Sequence, residues 1–222
     1  AIMVLQKVRL AVIEKRSFVI ITESLGENQP DPAVEHIVKR VIHTTADFEY
    51  AENLFISPDA EKSFAEAIQN GGVIITDTKM ALSGISKPAL AKFGAEVQCF
   101  ISDPDVAAEA KEREITRAAV CMEKAAKLNR PLIFALGNAP TALVRVCELV
   151  KEGTLKPALV IGVPVGFVNV IESKEMLMET DVPKIVARGR KGGSNVAAAI
   201  CNAMLYHMGG RRGGPAANST RP

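Results

Sequence analysis

Five short apolar runs punctuate the chain: Val73–Thr76, Val97–Ile101, Leu132–Leu136, Leu159–Val163 and Ile185–Ala187. A strand covered on both faces loses the in-out alternation of a half-exposed one, so such runs read as buried strands. Between them a 3.6-residue periodicity predicts helices over Ser57–Gln69, Asp105–Leu128, Pro140–Lys151, Ser173–Thr180 and Asn195–Tyr206. Strands alternating with helices predict the α/β class, here a three-layer α/β/α arrangement around a mainly parallel sheet of about five strands. The pattern describes a single domain over residues 1–210. Residues 211–222, rich in Gly, Pro, Asn and Ser, read as a disordered tail.

Several predicted strands end in small or polar residues: Thr76-Asp77, Gly137-Asn138, and Gly166 just beyond the fourth run. Open parallel sheets bind ligands in the crevice past the carboxyl ends of their strands, so these turns are the first place to look for a site.

Ahead of the first strand, Val34, Ile37, Val38, Val41 and Ile42 repeat at helical spacing, with Asp31 as N-cap and Pro32 at the first helical position. His36, Arg40 and His43 are spaced four and three apart. At about 100° per residue they form a stripe opposite the apolar face. That stripe is either a solvated polar face or an imidazole beside a guanidinium, turned towards an acidic ligand. Histidine titrates near neutrality, which suits His43 to moving a proton.

Composition narrows the classes. A chain of 222 residues can bury one sizeable core without a second domain. Its net charge of +2 and 5% aromatic content lack the basic excess and stacking residues of a nucleic-acid binder. Cys99, Cys121, Cys147 and Cys201 lie far apart in apolar runs with no Cys-x-x-Cys pair. They are expected to be buried thiols of a cytoplasmic protein, with no protein metal site. Ala1–Leu10 carries Lys7 and Arg9, too interrupted for a signal peptide, and no run approaches the roughly 20 apolar residues of a membrane helix.

Two further segments have the chemistry of anion cradles. Gly189-Arg190-Lys191-Gly192-Gly193-Ser194-Asn195 precedes a helix that Ser194 can cap, and its glycines allow backbone N–H groups close to a ligand. Gly137-Asn138-Ala139-Pro140-Thr141 joins strand to helix in a similar way, and Glu172-Ser173-Lys174 follows the turn at Gly166. Each alone is as readily a structural turn; three on one sheet edge favour a pocket for a polyanion. The nucleotide spacings Gly-x-Gly-x-x-Gly and Gly-x-x-x-x-Gly-Lys-Ser/Thr are absent, and neither Ser173 nor Ser194 sits in a Gly-x-Ser-x-Gly elbow. Residue chemistry alone yields a crevice and a proton carrier, without a reaction.

At these motifs the chain resembles the precorrin-8X methylmutase family, from about Ile13 to Tyr206. The likeness is carried by Ile13-Glu14-Lys15-Arg16-Ser17-Phe18, Val41-Ile42-His43-Thr44-Thr45-Ala46-Asp47-Phe48 and Thr76-Asp77-Thr78-Lys79-Met80-Ala81-Leu82-Ser83-Gly84-Ile85. Ile115-Thr116-Arg117, the Gly137–Leu143 and Val163–Val168 stretches, Glu172-Ser173-Lys174 and Gly189–Ala199 continue it. The Thr-Thr-Ala-Asp-Phe and Met-Ala-Leu-Ser-Gly-Ile wording is closest to the cobalt-precorrin-8 branch. The resemblance implies an isomerase of cobalamin biosynthesis that moves a methyl group from ring carbon 11 to carbon 12, with no cofactor and with His43 as catalytic acid-base. It implies a tetrapyrrole polycarboxylate held by Ser17, Arg40, Thr78, Ser83, Gly84, Arg117, Asn138, Thr141, Gly166, Ser173, Lys174, Arg190, Gly192, Gly193 and Ser194. It also implies a homodimer in which Arg117 acts across the interface. Asn169-Val170-Ile171 departs from the smaller residues expected there, and either narrows the pocket floor or joins the core. Two other functions fit the crevice: a non-catalytic corrinoid carrier, which needs no titrating group on the His43 stripe, and an isomerase of a phosphorylated metabolite, which lacks its phosphate loop and paired carboxylate base.

Overall fold

A computed structural model of the chain describes residues 9–210. The segment 1–8 and the tail expected at 211–222 lie outside the described residues. The chain opens with helices α1 (Leu10–Leu25), α2 (Glu35–Thr45) and α3 (Tyr50–Asn53), followed by strand β1 (Leu54–Ile56). Then come α4 (Ala60–Gln69), β2 (Val73–Thr76), α5 (Lys79–Gly84), α6 (Lys87–Ala91), β3 (Glu96–Gln98), α7 (Pro104–Arg113) and α8 (Arg117–Ala126). The last third alternates strictly: β4 (Leu132–Leu136), α9 (Pro140–Lys151), β5 (Leu159–Gly162), α10 (Val170–Met178), β6 (Lys184–Ala187) and α11 (Ser194–Met208).

The strands form one sheet in the order β1-β6-β5-β4-β2-β3. All neighbours are parallel except β1, which runs antiparallel to β6 and pairs Phe55 with Val186. The expected three layers are present, with six strands rather than five. The additional β1 is three residues long and lies at the sheet edge with Phe55 exposed, too short to show a period. Strands β2, β4, β5 and β6 are buried at every position, which is why they read as unbroken apolar runs.

Two cores flank the sheet. One joins α1, α2, α4 and α11 to sheet residues such as Ile74, Ile133 and Ile161. The other joins α7, α8, α9 and α10 to Ile75, Phe134 and Val160. Among the described residues no helix is long and apolar enough to cross a membrane.

Local chemistry moved several boundaries. The helix expected over Asp105–Leu128 is two helices, because Glu114 takes a left-handed conformation (φ 54°) and Thr116 caps the second by accepting from the Ala119 N–H. The helix expected from Pro32 starts at Glu35; Asp31 caps only the preceding turn, accepting from the Ala33 N–H. The α1 helix carries exposed apolar residues such as Val19 and Ile20 away from its buried Phe18 and Ile21, which blurs its periodicity in sequence. Val170 is core, 2% exposed, while Asn169 before it is left-handed at φ 61°. All four cysteines are free thiols, and Cys99 is half-buried rather than buried.

Candidate active site

Strand order places the topological switch between β2 and β4, where the connections leave in opposite directions. Asp77 stands there, directly after β2 and 3% exposed. Its carboxylate accepts from the backbone N–H groups of Gly137 (3.0 Å), Asn138 (2.8 Å) and Ala139 (2.6 Å). Burial pushes its pKa up, against the pull of these three donors. The anion cradle foreseen at Gly137–Thr141 is therefore real but already filled by the protein's own carboxylate. Asp77 lies in one of the strand-end turns expected to form the site, although it was not among the expected substrate contacts.

The segment after β6 is also built inward. Lys174, 1% exposed, donates from Nζ to the carbonyls of Gly189 (2.7 Å) and Lys191 (2.9 Å). Burial lowers its pKa to about 8. Ser173 is wholly buried and donates to the Val170 carbonyl within its own helix. Both side chains, expected as substrate contacts, spend their donors on backbone carbonyls in this arrangement. A Cβ on Gly137 would lie 2.5 Å from the Gly193 carbonyl oxygen, and one on Gly192 would collide with the Val163 carbonyl, so these glycines serve close backbone packing. Gly193, at φ 138°, precedes α11 as its N-cap; Ser194, expected as the cap, is the first helical residue and pairs its hydroxyl with Thr78 at 2.7 Å.

What remains open on this edge is a rim of side chains. Thr78 caps α5, accepting from the Ala81 N–H. Ser83 and Gly84 are exposed on that helix, and a Cβ on Gly84 would sit 2.9 Å from the Ala198 Cβ. The Gly166 N–H donates to the Arg190 carbonyl, and Arg190 returns a bond to the Phe167 carbonyl at 3.0 Å with its guanidinium 5.2 Å from the Phe167 ring centre. Lys191 pairs with Asp47 (2.7 Å) and with Glu49, tying the end of α2 to this loop. Lys191 holds the Asp47 carboxyl below its usual range.

That tie brings His43, in the last turn of α2, to the same end of the molecule. Its ring stacks on Phe18 at 5.2 Å. Burial and then the charge of Arg40 lower its pKa, while Glu14 acts in the opposite sense. Arg40 is 8% exposed, ion-paired with Glu14 and stacked between the rings of Phe18 (4.9 Å) and Tyr206 (5.2 Å). Its Nε is buried without a hydrogen-bond partner among the described residues. The stripe His36–Arg40–His43 is thus not a solvated face: α1, α4 and the end of α11 bury its first two members, and Phe18 of α1 half-covers the last. Ser17 is half-buried next to Phe18 and donates to the Ile13 carbonyl.

Four expected contacts, Thr141, Ser173, Arg117 and Asn138, gather on the other helical layer. Thr116 bonds Thr141 at 3.0 Å, and both line a cleft of about 660 Å³ with Ser173, Arg113 and Arg145, which share Glu123. Arg117, exposed at the start of α8, borders a neighbouring hollow. Asn138 is exposed beside the Asp77 bridge. His43 lines neither hollow. Within one chain the expected residues therefore divide into a group around the α2 end and a group around α8 and α9.

The family model of precorrin-8X methylmutase matches residues 12–207. The chain belongs to the precorrin-8X methylmutase family. It is 48% identical to the cobalt-precorrin-8 methylmutase of Salmonella typhimurium over 88% of this chain and 94% of that one. It is 38% identical to the precorrin-8X methylmutase of Pseudomonas aeruginosa, over 77% of this chain and 83% of the relative. The solved precorrin-8X methylmutase of Thermus thermophilus superposes with a TM-score of 0.82 at 40% identity, covering 88% of this chain and 94% of that structure. For a methylmutase, the features with bearing on chemistry are the imidazole at the end of α2 and the polar rim beyond the sheet. Asp77, Glu14 and Lys191 shape the site without being among the expected substrate contacts; the Glu14–Arg40 contact spans 26 positions and leaves no local pattern.

Proposed function

We propose that this chain catalyses migration of one methyl group from ring carbon 11 to carbon 12 of precorrin-8, in the cobalt-bearing form, with His43 as the acid. The chain is an isomerase of cobalamin biosynthesis. Its higher identity to the cobalt-precorrin-8 relative than to the precorrin-8X one favours the cobalt-bearing ring, whose metal travels as part of the substrate.

The observation that carries the assignment is the electrostatic setting of His43. Burial and Arg40 disfavour the charged form of the free imidazole. The substrate is a polycarboxylate, and a carboxylate arriving within about 4–6 Å favours the charged form. The imidazole thus takes up its proton as the ring docks and delivers it to a ring nitrogen, drawing electron density through the conjugated system while the methyl shifts. The remaining contribution is positioning of the macrocycle. Arg190, Thr78, Ser83 and the buried Arg40 Nε contribute donors from the α2 side. Asn138, Thr141 and Arg117 lie on the α8–α9 side.

That division supports a homodimer in which Arg117 reaches the partner's ring. Phe167 and Val168 are 78% and 79% exposed beside Arg190, and Met80 is 71% exposed, an apolar rim that a second copy would cover. The catalytic unit is one domain over residues 1–210. A cytoplasmic location belongs to the same proposal, since the free thiols stay reduced there.

A corrinoid carrier would bind but not convert. Purified protein mixed with excess substrate, and followed by the absorbance change to the product chromophore, separates the two. Many turnovers per chain are expected; conversion that stops at or below one equivalent would overturn the catalytic reading.

A further inference from the structure

Two of the chain's three histidines, His36 and His207, meet at the other end of α2 from His43. His36 lies in the first turn of α2, so it is about 10 Å along the helix axis from His43. Glu61 is in the first turn of α4, which follows the Ser57 hydroxyl bonded to the start of β6. His207 is in the last turn of α11. All three helices therefore bring a residue to the amino edge of the sheet, away from the crevice.

The His36 Nε2 lies 2.6 Å from Glu61 Oε1, and the His207 Nε2 lies 4.0 Å from the same oxygen. The two imidazoles stack with centres 4.1 Å apart. One donor atom from each residue falls within 4.8 Å of the other two. His36 is 4% exposed, whereas the side chains of Glu61 and His207 are 24% and 41% exposed. The cluster thus has one rigid member and two that can adjust, with solvent on the open side.

We propose that His36, Glu61 and His207 form a binding site for one divalent transition-metal ion of the zinc class. Two imidazoles and one carboxylate are a borderline donor set that suits Zn²⁺, Co²⁺ or Ni²⁺ and leaves a fourth position for water. Bond lengths of about 2.0–2.1 Å in a tetrahedral site put donor atoms roughly 3.3 Å apart. The separations of 2.6 and 4.0 Å from the Glu61 oxygen bracket that value, but the two rings are stacked at 14°, so the exposed His207 ring must turn out of the stack for both Nε2 lone pairs to face one ion. The ion takes the Nε2 lone pair of His36, whose ring then carries its proton on Nδ1. It joins the ends of α2, α4 and α11 and acts as a staple on the helix that presents His43. It is separate from any metal inside the tetrapyrrole.

The test uses full-length protein without a histidine tag, titrated with ZnCl₂ by calorimetry and thermal melting. One equivalent is expected to bind, and at a hundredfold excess over Kd the Tm rises by about 5–10 °C. His207→Ala and Glu61→Gln, both at half-exposed positions, should each abolish the rise, while Cys99→Ser keeps it. Co²⁺ gives a second readout, a visible absorption band of tetrahedral cobalt that is lost in His207→Ala. No binding by the parent protein, a rise that survives in His207→Ala, or one that disappears in Cys99→Ser would overturn the site.

Discussion

The two ends of α2 carry the same side chain seven residues apart and in different company. At the first turn, His36 is buried, bonded to Glu61 and stacked on His207. At the last turn, His43 is half-buried, stacked on Phe18 and destabilised in its charged form by burial and by Arg40. One histidine is satisfied and the other is kept out of balance. A group that must gain and lose a proton cannot also be locked into a strong bond, so the unsatisfied end is the one that can work. The same contrast separates the two strand-to-helix turns. The one after β4 spends its N–H donors on Asp77, and the one after β6 is pinned by Lys174 and leaves Arg190 exposed at the rim.

Substituting the two histidines is the most direct way to break this comparison. His43→Ala should leave the fold intact and slow conversion by about a hundred- to ten-thousand-fold, the usual contribution of a positioned acid. Single-turnover absorbance measures it, and a parental rate would end the acid role. His36→Ala should do the reverse. Losing its bond and stack should cost about 1–3 kcal/mol in urea unfolding, with the rate per folded molecule little changed. A smaller effect is expected at the link between the crevice and α2. Lys191 is exposed, so Lys191→Met should leave stability little changed. Its mark should be on turnover, through the freed α2 end; equal losses in kcat and stability would make Lys191 merely structural.

The smallest effect sharpens the electrostatic half. Glu14 raises the His43 pKa and Arg40 lowers it. Removing the Glu14 charge as Glu14→Gln takes away the raising influence, so the His43 pKa falls further. If the protonated imidazole of the free enzyme is required, kcat/KM declines as pH rises through that pKa, and the decline should move to lower pH in Glu14→Gln. An unmoved profile, or one shifted upward, would assign the profile to another group.

Much of this molecule was legible before its structure. Runs of buried residues announced β2, β4 and β5 within a residue or so, because strands sandwiched between helices need apolar side chains on both faces. The helix α9 matched at both ends, with Pro140 at its start. The family motifs pointed to His43 as they stand in the chain. Periodicity alone left its surroundings open: it identifies which residues share a helix face, not what covers that face. A solvated face stayed possible for His36 and Arg40 because Glu14, Phe18, Glu61 and His207 come from elements far away in sequence. For the same reason the cradle at Gly137 looked vacant until the chain returned Asp77 to it across 60 positions. Local pattern depends on neighbours a few residues apart, and so the sequence by itself determined the elements and their order. Which polar groups are already satisfied depends on contacts between distant segments, and only the tertiary structure decided that Asp77 and Lys174 hold the scaffold while the His43 ring stays half-buried and Arg190 exposed at the rim.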